Sequence, residues 1–323
     1  MYIVTGGAGM IGSAMIWKLN SLGIDSILVV DHLASSEKWK NLVNRNFEEY
    51  MSREEFLARV QSDELPGGVK AIFHLGACSA TTERDVDYLF RNNLEYSKTL
   101  ATYALKKGIR FVGASSAATY GGGAQGFSDA EDDLVALKPL NAYGYSKHLF
   151  DLWARRTGNL AHLASLKFFN VYGPNEYHKG DMRSVVVKAF AQICETGRMK
   201  LFASDRADYA NGGQMRDFVY VKDCVEIMWW LAEHPKANGV FNLGTGKART
   251  WNDLAKAIFT AMGRETAIDY VALPEHLRGK YQYFTAAAMD KLASLGCPLP
   301  RHSLEDGIVD YVQQYLLKDD MYL

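Results

Sequence analysis

The 323-residue chain has almost no net charge: 36 Lys and Arg against 37 Asp and Glu leave −1. Such a balance gives no long-range field for nucleic acid or an anionic membrane, so an anionic ligand must be held by a local constellation. No apolar run approaches the ~18 residues of a spanning helix. Cysteine is scarce. Cys78, Cys194, Cys224 and Cys297 lie far apart, with no C-x-x-C spacing and no histidine at a zinc-like offset. Reduced thiols and a cytoplasmic location are expected. A strand beginning at Tyr2 leaves no room for a basic and apolar leader, so no signal peptide is expected. Internal repeats, linkers and low-complexity segments are absent. What remains is 48% hydrophobic and 23% charged, the make-up of a soluble globular enzyme. The length suits one large α/β domain and a smaller one.

The stretch Asn141-Ala142-Tyr143-Gly144-Tyr145-Ser146-Lys147 carries the chemistry. Four-residue spacing at the start of an amphipathic run sets Tyr143 and Lys147 on one helical face, one turn apart. A phenol is a poor base at neutral pH, and a fixed cation beside it favours the phenolate. Tyr143 is therefore expected to have a lowered pKa and to move a proton while a nicotinamide moves a hydride. Alone, the pair is equally an ordinary helix-surface contact. Three other stretches decide against that.

The first is the glycine loop. The apolar run Tyr2–Thr5 reads as a buried strand, Gly6-Gly7-Ala8-Gly9-Met10-Ile11-Gly12 as a turn, and Ile11, Ala14, Met15, Leu19 and Leu22 as a helix. Strand, glycine turn and helix in that order form a dinucleotide site. Gly6, Gly9 and Gly12 let the backbone approach a pyrophosphate, and the helix N-terminus offers free N–H groups to it. A second strand ends at Asp31, 19 residues after Gly12, where a carboxylate can bind the adenosine ribose. Asp31 alone argues for NAD, because it repels a 2′-phosphate. Lys38 and Arg53 are cations able to offset that repulsion, or solvated surface charges, so NAD and NADP both stay open.

A short strand is expected at Phe47–Tyr50, a helix at Arg53–Val60 and a strand at Ala71–His74. That strand ends in the small-residue turn Leu75-Gly76-Ala77-Cys78-Ser79, where doubly wound sheets hold ligands. His74 reads as a packed strand-end residue. One helix is expected from about Asp85 to Lys107, with Asn92-Asn93 inside it, unusual unless an amide has a task. The second deciding stretch, Ser115-Ser116, ends the strand Arg110–Ala114. Ser116 reads as a partner of Tyr143 on a substrate oxygen, or as a turn cap.

The third runs from Asn170 to Lys179, after a strand at Leu163–Phe169. Beyond it the alternation weakens. Helices are expected at Met182–Thr196, Lys222–Glu233, Trp251–Met262 and Ser303–Leu317, with strands at Lys200–Phe202, Phe218–Val221 and Val240–Leu243. The stretch Arg206–Met215 reads as a surface loop. Arg216 is a candidate phosphate clamp or a surface partner of Asp217. Lys280 and Tyr281 are candidate ligand contacts. The fold expected is α/β: a Rossmann-type doubly wound parallel sheet in residues 1–170, which also receives later segments, and a smaller C-terminal α/β substrate-binding lobe in 171–323.

The glycine loop, Asp31, Ser116 and Tyr143–Lys147 stand in the order of the extended short-chain dehydrogenase/reductase family, which the chain resembles. Within it, Gly76-Ala77-Cys78-Ser79, Ser115–Gly122, Pro139-Leu140-Asn141, Phe169–Pro174, His178-Lys179-Gly180 and Arg216–Val221 resemble the ADP-heptose 6-epimerase family over nearly the whole chain. The H-K-G loop and the G-A-C-S turn are its most specific pieces.

That resemblance implies a two-base isomerase with Tyr143 and Lys179 as the acid/base pair, acting on ADP-D-glycero-β-D-manno-heptose at C6″. A burial-lowered Lys179 pKa would suit that role. It implies NADP, held by Met10, Ile11, Asp31, His32, Lys38, Arg53, Leu75–Ser79 (Leu75, Gly76, Ala77, Cys78, Ser79), Asn92 and Lys147. It implies substrate contacts at Asn170, Val171, Asp181, Lys188, Phe202, Ala203, Ser204, Asp205, Arg216 and Tyr281. It also implies a homo-oligomer, typically a pentamer, in the cytoplasm, serving lipopolysaccharide core synthesis. The chain departs from the family at His32, where an amide is usual, at Asp181, where a small hydroxyl is usual, and in the longer loop Arg206–Met215. Other readings are a nucleotide-sugar 4-epimerase or 4,6-dehydratase, Lys179 as only a phosphate or cofactor contact, and a non-catalytic dinucleotide sensor. The dehydratase is disfavoured because no Asp–Glu pair follows Ala117-Ala118-Thr119.

Overall fold

The structure is a computed structural model describing residues 1–275 and 281–323; Lys280 lies outside the described residues. In chain order the elements are β1 (Tyr2–Thr5), α1 (Met10–Ser21), β2 (Ile27–Asp31), β3 (Glu49–Ser52), α2 (Arg53–Gln61), β4 (Ala71–His74), α3 (Val86–Leu89), α4 (Tyr96–Lys106), β5 (Arg110–Ser116), α5 (Ala142–Arg156), β6 (Ala164–Phe168), β7 (Asn170–Tyr172), α6 (Val185–Thr196), β8 (Met199–Phe202), β9 (Met215–Tyr220), α7 (Val221–Glu233), β10 (Gly239–Leu243), β11 (Ala248–Thr250), α8 (Trp251–Ala261), β12 (Ile268–Val271), α9 (Asp290–Ser294) and α10 (Leu304–Tyr311).

Seven strands form one parallel sheet in the order β10-β6-β5-β4-β1-β2-β3. Strands β1, β2, β4, β6 and β10 are buried at every residue, which is why they read as continuous apolar runs rather than alternating ones. The chain leaves β1 toward β2 on one side and returns to β4 on the other, so the strand order reverses between β1 and β4. A crevice opens there beyond the carboxyl ends of the strands. Register fixes what faces it: Thr5 aligns with Val30 and His74, and Ser116 with Phe168.

Strand β10 completes this sheet from the second half of the chain, and α7 packs against α1. The remaining strands make a small sheet, β11-β9-β7, and a parallel pair, β12-β8. Helices α6, α8 and α10 pack among themselves and on these strands. No helix among the described residues is long and apolar enough to cross a membrane. Cys78, Cys194, Cys224 and Cys297 are all free.

Three expectations shift. The strand expected at Phe47–Tyr50 starts at Glu49, because Phe47 packs against the core before the ladder with β2 begins. The helix expected from Asp85 is α3, a π turn over Phe90–Glu95, and α4. The helix expected at Ser303–Leu317 likewise ends in a π turn, Val312–Leu316. Each π turn holds one extra residue, a single-position slip that a helical spacing pattern read over the whole segment does not single out.

Candidate active site

The glycine turn is built by close approach. Gly6 has φ +67°, and a Cβ there would lie 2.6 Å from the Gly76 nitrogen. One at Gly12 would lie 2.1 Å from the Gly6 carbonyl oxygen. Gly9 N–H donates to that same carbonyl at 2.9 Å, closing the turn directly before α1. No side chain caps α1, so its first N–H groups face the crevice. A side-chain-free cradle, an uncapped helix start and a carboxylate ending β2 fit a dinucleotide.

That carboxylate is fully engaged. Asp31 Oδ2 accepts from Ala8 N–H at 2.8 Å, and Oδ1 accepts from His32 N–H and from Lys38 Nζ, each at 2.6 Å. The His32 ring is exposed, 3.6 Å from Glu54. Arg53 opens α2, pairs with Glu54 and donates to the Asn92 amide.

The turn after β4 is held from both sides. Thr5 Oγ1 accepts from Gly76 N–H at 3.2 Å. Asn93 Oδ1 accepts from Cys78 N–H at 2.9 Å, and its Nδ2 donates to Cys78 O at 3.0 Å and Ser146 Oγ at 3.1 Å. One amide therefore ties the turn to the residue preceding Lys147. His74 is a packed strand-end residue, bonded to Thr5 and Ser97, and burial pushes its pKa down to about 3.

Helix α5 starts at an Asn141 cap, whose side chain accepts from Gly144 N–H at 2.8 Å. Gly144 is obligatory, since a Cβ would sit 2.7 Å from Ala118 O. This close packing brings Tyr143 beside Ser116. The Ser116 hydroxyl caps the short 3₁₀ turn Ala117–Tyr120, accepting from Ala118 N–H at 3.1 Å, and also lies close enough to Tyr143 to favour its phenolate. Ser115 instead donates to buried Asp151 at 2.7 Å.

The expectation of a lowered Tyr143 pKa is corrected. Burial raises it, the Ser116 hydroxyl opposes the rise and the Cys78 sulfur adds to it. Lys147 Nζ donates to the Ala114 carbonyl at 2.8 Å, and burial lowers its own pKa to about 8, with Asp151 opposing. Desolvation of the phenol sets the sign of its shift.

Lys179 belongs to the 3₁₀ segment Tyr177–Met182 and donates to Met10 Sδ at 3.3 Å. Burial lowers its pKa and Glu176 opposes. Its neighbour His178 is held near pKa 4 by burial and by the charges of Lys179 and Lys38.

A cavity of about 520 Å³ is lined by Gly6, Gly9, Met10, Ile11, Gly12, Asp31, His32, Lys38, Leu75–Ser79, Ser115, Tyr143, Lys147, His178 and Lys179, among others. A neighbouring chamber of about 150 Å³ shares Gly6, Asp31, Lys38 and Gly76 with it and adds Arg53, Tyr88, Asn92 and Tyr96. Between them they collect every residue expected around the cofactor, together with Tyr143 and Lys179. Ser116, beside Tyr143, does not line either chamber.

None of the ten residues expected around the substrate lines these chambers. Phe202 meets Tyr281 edge-on at 6.1 Å, and the Arg216 guanidinium lies 5.3 Å from the Tyr281 ring. Arg216 does not pair with Asp217; it is buried and donates to the Met215 and Gln282 carbonyls. Asp217 accepts from Thr245, Gly246 and Ala287. Ser204 and Asp205 are bonded to Asn211 and Tyr283. Ala203 N–H donates to Val271 O at 2.8 Å. Lys188 donates to the backbone carbonyl of exposed Asp181. Asn170 and Val171 pair with Phe218 and Val219 on β9. The loop before Met215 is irregular, as expected.

Sequence reasoning missed Asn93 as the anchor of the Cys78 turn, although Asn-Asn inside a helix marked the place. It also missed the Asp151–Lys167 pair behind Ser115. A lysine in the apolar strand Ala164–Phe168 was the available signal.

The model of the NAD dependent epimerase/dehydratase family matches residues 2–244. An ADP-L-glycero-D-manno-heptose-6-epimerase of Nitratidesulfovibrio vulgaris (strain DP4) is 63% identical over 323 residues, covering both chains entirely. One from Fusobacterium nucleatum subsp. nucleatum is 46% identical over 332 aligned positions, again covering both entirely. The crystal structure of the Helicobacter pylori ADP-L-glycero-D-manno-heptose-6-epimerase superposes with a TM-score of 0.82 at 25% identity, covering 97% of this chain and 95% of that one. With a glycine turn, a Tyr143–Lys147 helix and full-length relatives of this kind, the chain belongs to the NAD dependent epimerase/dehydratase family.

Proposed function

We propose that the chain interconverts ADP-D-glycero-β-D-manno-heptose and its L-glycero epimer at C6″, through a 6-keto sugar, with NADP as a tightly held and recycled cofactor. The observation that carries this reading is that Tyr143 and Lys179, from two elements 36 residues apart, line one cavity with the glycine turn. Inverting a carbinol centre requires an acid/base group for each face. When bound, the nicotinamide supplies the hydride acceptor and donor.

The residues divide the remaining work. Tyr143, with Ser116 beside it and Lys147 one turn on, moves the C6″ hydroxyl proton on one side. Lys179 does so on the other, and burial lowers its pKa in the direction a base requires. Gly6, Gly9, Met10, Ile11 and Gly12 hold the pyrophosphate, and the turn Leu75–Ser79 bounds the cofactor. NADP rather than NAD is favoured by the Lys38–Asp31 pair, which neutralises the carboxylate, and by His32 and Arg53 nearby. Arg216, Phe202–Asp205 and Tyr281 are assigned to the ADP moiety, and Asn170, Val171, Asp181 and Lys188 to the rest of the substrate. A cytoplasmic homo-oligomer, a pentamer by resemblance, serving lipopolysaccharide core synthesis completes the reading. So does its division into residues 1–170, with later segments added, and 171–323.

The test is proton NMR of purified protein incubated with ADP-D-glycero-β-D-manno-heptose and no added cofactor. Conversion to the L-glycero epimer is expected. Inactivity even with NADP⁺, alongside turnover of a UDP- or GDP-hexose, would move the chain to another nucleotide-sugar epimerase. Inactivity on every nucleotide sugar despite dinucleotide binding would make it a sensor.

A further inference from the structure

Lys179 has no ion-pair partner among the described residues; the one hydrogen bond its ammonium donates is to a thioether, a weak acceptor. Its placement therefore comes from the backbone that carries it. That backbone is pinned by two buried amides. Asn41, 2% exposed, has its Nδ2 at 2.8 Å from Ala8 O, 3.0 Å from Asn175 O and 3.3 Å from His178 Nδ1. Asn175 is fully buried with φ +71°, in the left-handed region that few non-glycine residues occupy. Its Nδ2 donates to Ser13 Oγ at 2.8 Å, and its Oδ1 accepts from Leu323 N–H at 2.9 Å. Ser13 Oγ in turn donates to Gly9 O at 2.7 Å.

Both amides thus run from the glycine turn to the segment that carries Lys179. Tyr177 adds a hydrogen bond to Met321 O at 2.6 Å and an edge-on contact with Tyr322. An uncommon backbone conformer persists where surrounding contacts over-determine it, and five hydrogen bonds meet at these two side chains and the Asn175 carbonyl.

Building on the assignment of Lys179 as the second acid/base group, we infer that Asn175 and Asn41 are positioning residues that set Lys179 against the dinucleotide turn. The clamp keeps the glycine turn and the Lys179 segment at one spacing although they come from opposite ends of the first 180 residues.

The experiment compares full-length Asn175→Gly, Asn175→Asp, Asn41→Ala and Lys179→Met with the parent, reading kcat and KM for the ADP-heptose, cofactor retained on purification, and melting temperature. Glycine accepts φ +71° without strain, so Asn175→Gly removes only the side-chain bonds. The expected result for Asn175→Gly and Asn41→Ala is a kcat lower by about ten- to a hundredfold, with KM within about twofold and cofactor retained. Asn175→Asp, which keeps the acceptor for Leu323 and tolerates the left-handed conformer, is expected to recover part of kcat. Parental kcat in both Asn175→Gly and Asn41→Ala, with Lys179→Met inactive, overturns the clamp and leaves the role of Lys179 standing. Equal losses in kcat, cofactor content and melting temperature overturn it in favour of a purely structural role. An active Lys179→Met removes the role of Lys179 and the clamp with it.

Discussion

The Lys167 ammonium donates to the Asp151 carboxylate at 2.9 Å, and neither side chain has any contact with solvent. Lys167 also donates to Thr119 Oγ1 at 2.6 Å, while Ser115 and Ser165 donate to Asp151, each at 2.7 Å. This pair joins β6 to α5 beside Ser115, the strand neighbour of Lys167, and one helical turn after Lys147. Breaking one side of a buried pair leaves a bare charge, at a cost of about 3–5 kcal/mol. Lys167→Met should lose that much in chemical denaturation at pH 7. Lys167→Met with Asp151→Leu should regain most of it, since no bare charge remains. A double variant no more stable than the single one would show that the hydroxyl bonds, not the charges, hold the site.

Tyr143→Phe removes one oxygen and little volume. Turnover should fall by about 10²–10⁴-fold, the range of a lost general acid/base, while cofactor retained on purification stays at the parental level. Undiminished turnover, measured by NMR, would end the assignment of Tyr143.

Burial brings the Lys147 pKa down to about 8. The ammonium form, which assists the Tyr143 phenolate, is present below that value and lost above it. The rate kcat should therefore decline as pH rises through about 8. Lys147→Arg, which stays charged, should lose that limb even if its overall rate is low. Persistence of the limb in Lys147→Arg would show that Lys147 is not its source.

The Lys38–Asp31 contact at 2.6 Å predicts how cofactor choice shifts. Lys38→Ala frees the carboxylate, which then repels a 2′-phosphate and accepts from a 2′-hydroxyl. The ratio of NADP to NAD affinity should fall by about ten- to a hundredfold, the worth of one charge-assisted hydrogen bond. Titration calorimetry of both dinucleotides on cofactor-stripped protein checks it, and an unchanged ratio would pass the discrimination to Arg53 or His32.

His74 is neutral in the folded chain with a pKa near 3 and charges near 6.5 when unfolded. Between those values the unfolded state binds the extra proton. Stability should therefore fall as pH drops from about 6.5 toward about 3, by about 1.4 kcal/mol per unit from this residue. His74→Asn should flatten that slope in denaturation curves; an unchanged slope would assign the acid sensitivity elsewhere.

The parallel sheet was legible because its strands are buried on both faces and bounded by glycine or charge, as at Tyr2–Gly6 and Val30–Asp31. The two turns that line the crevice, Gly6–Gly12 and Leu75–Ser79, were legible because each is a run rich in small residues directly after a buried strand. What was not legible depends on contacts between distant segments. Asn41 stands in an ordinary polar stretch, and only the folded chain sets it on Ala8 and on Asn175, 134 residues away. The sign of the Tyr143 shift was misjudged for a related reason. Spacing reveals which charge is near, but not how much water the fold removes from both groups.

The π turn at Phe90–Glu95 carries one residue more than an α-helix of the same rise would hold. Removing any residue from this run would rewind it by about 100°. Asn92 would then lose Arg53, or Asn93 would lose Cys78, because both bonds depend on the wider turn. The outward-facing positions Arg91 and Glu95 can drift in identity, yet the segment cannot drift in length. Among natural variants of this chain, gaps should collect at Arg206–Asn211 and be missing between Leu89 and Tyr96.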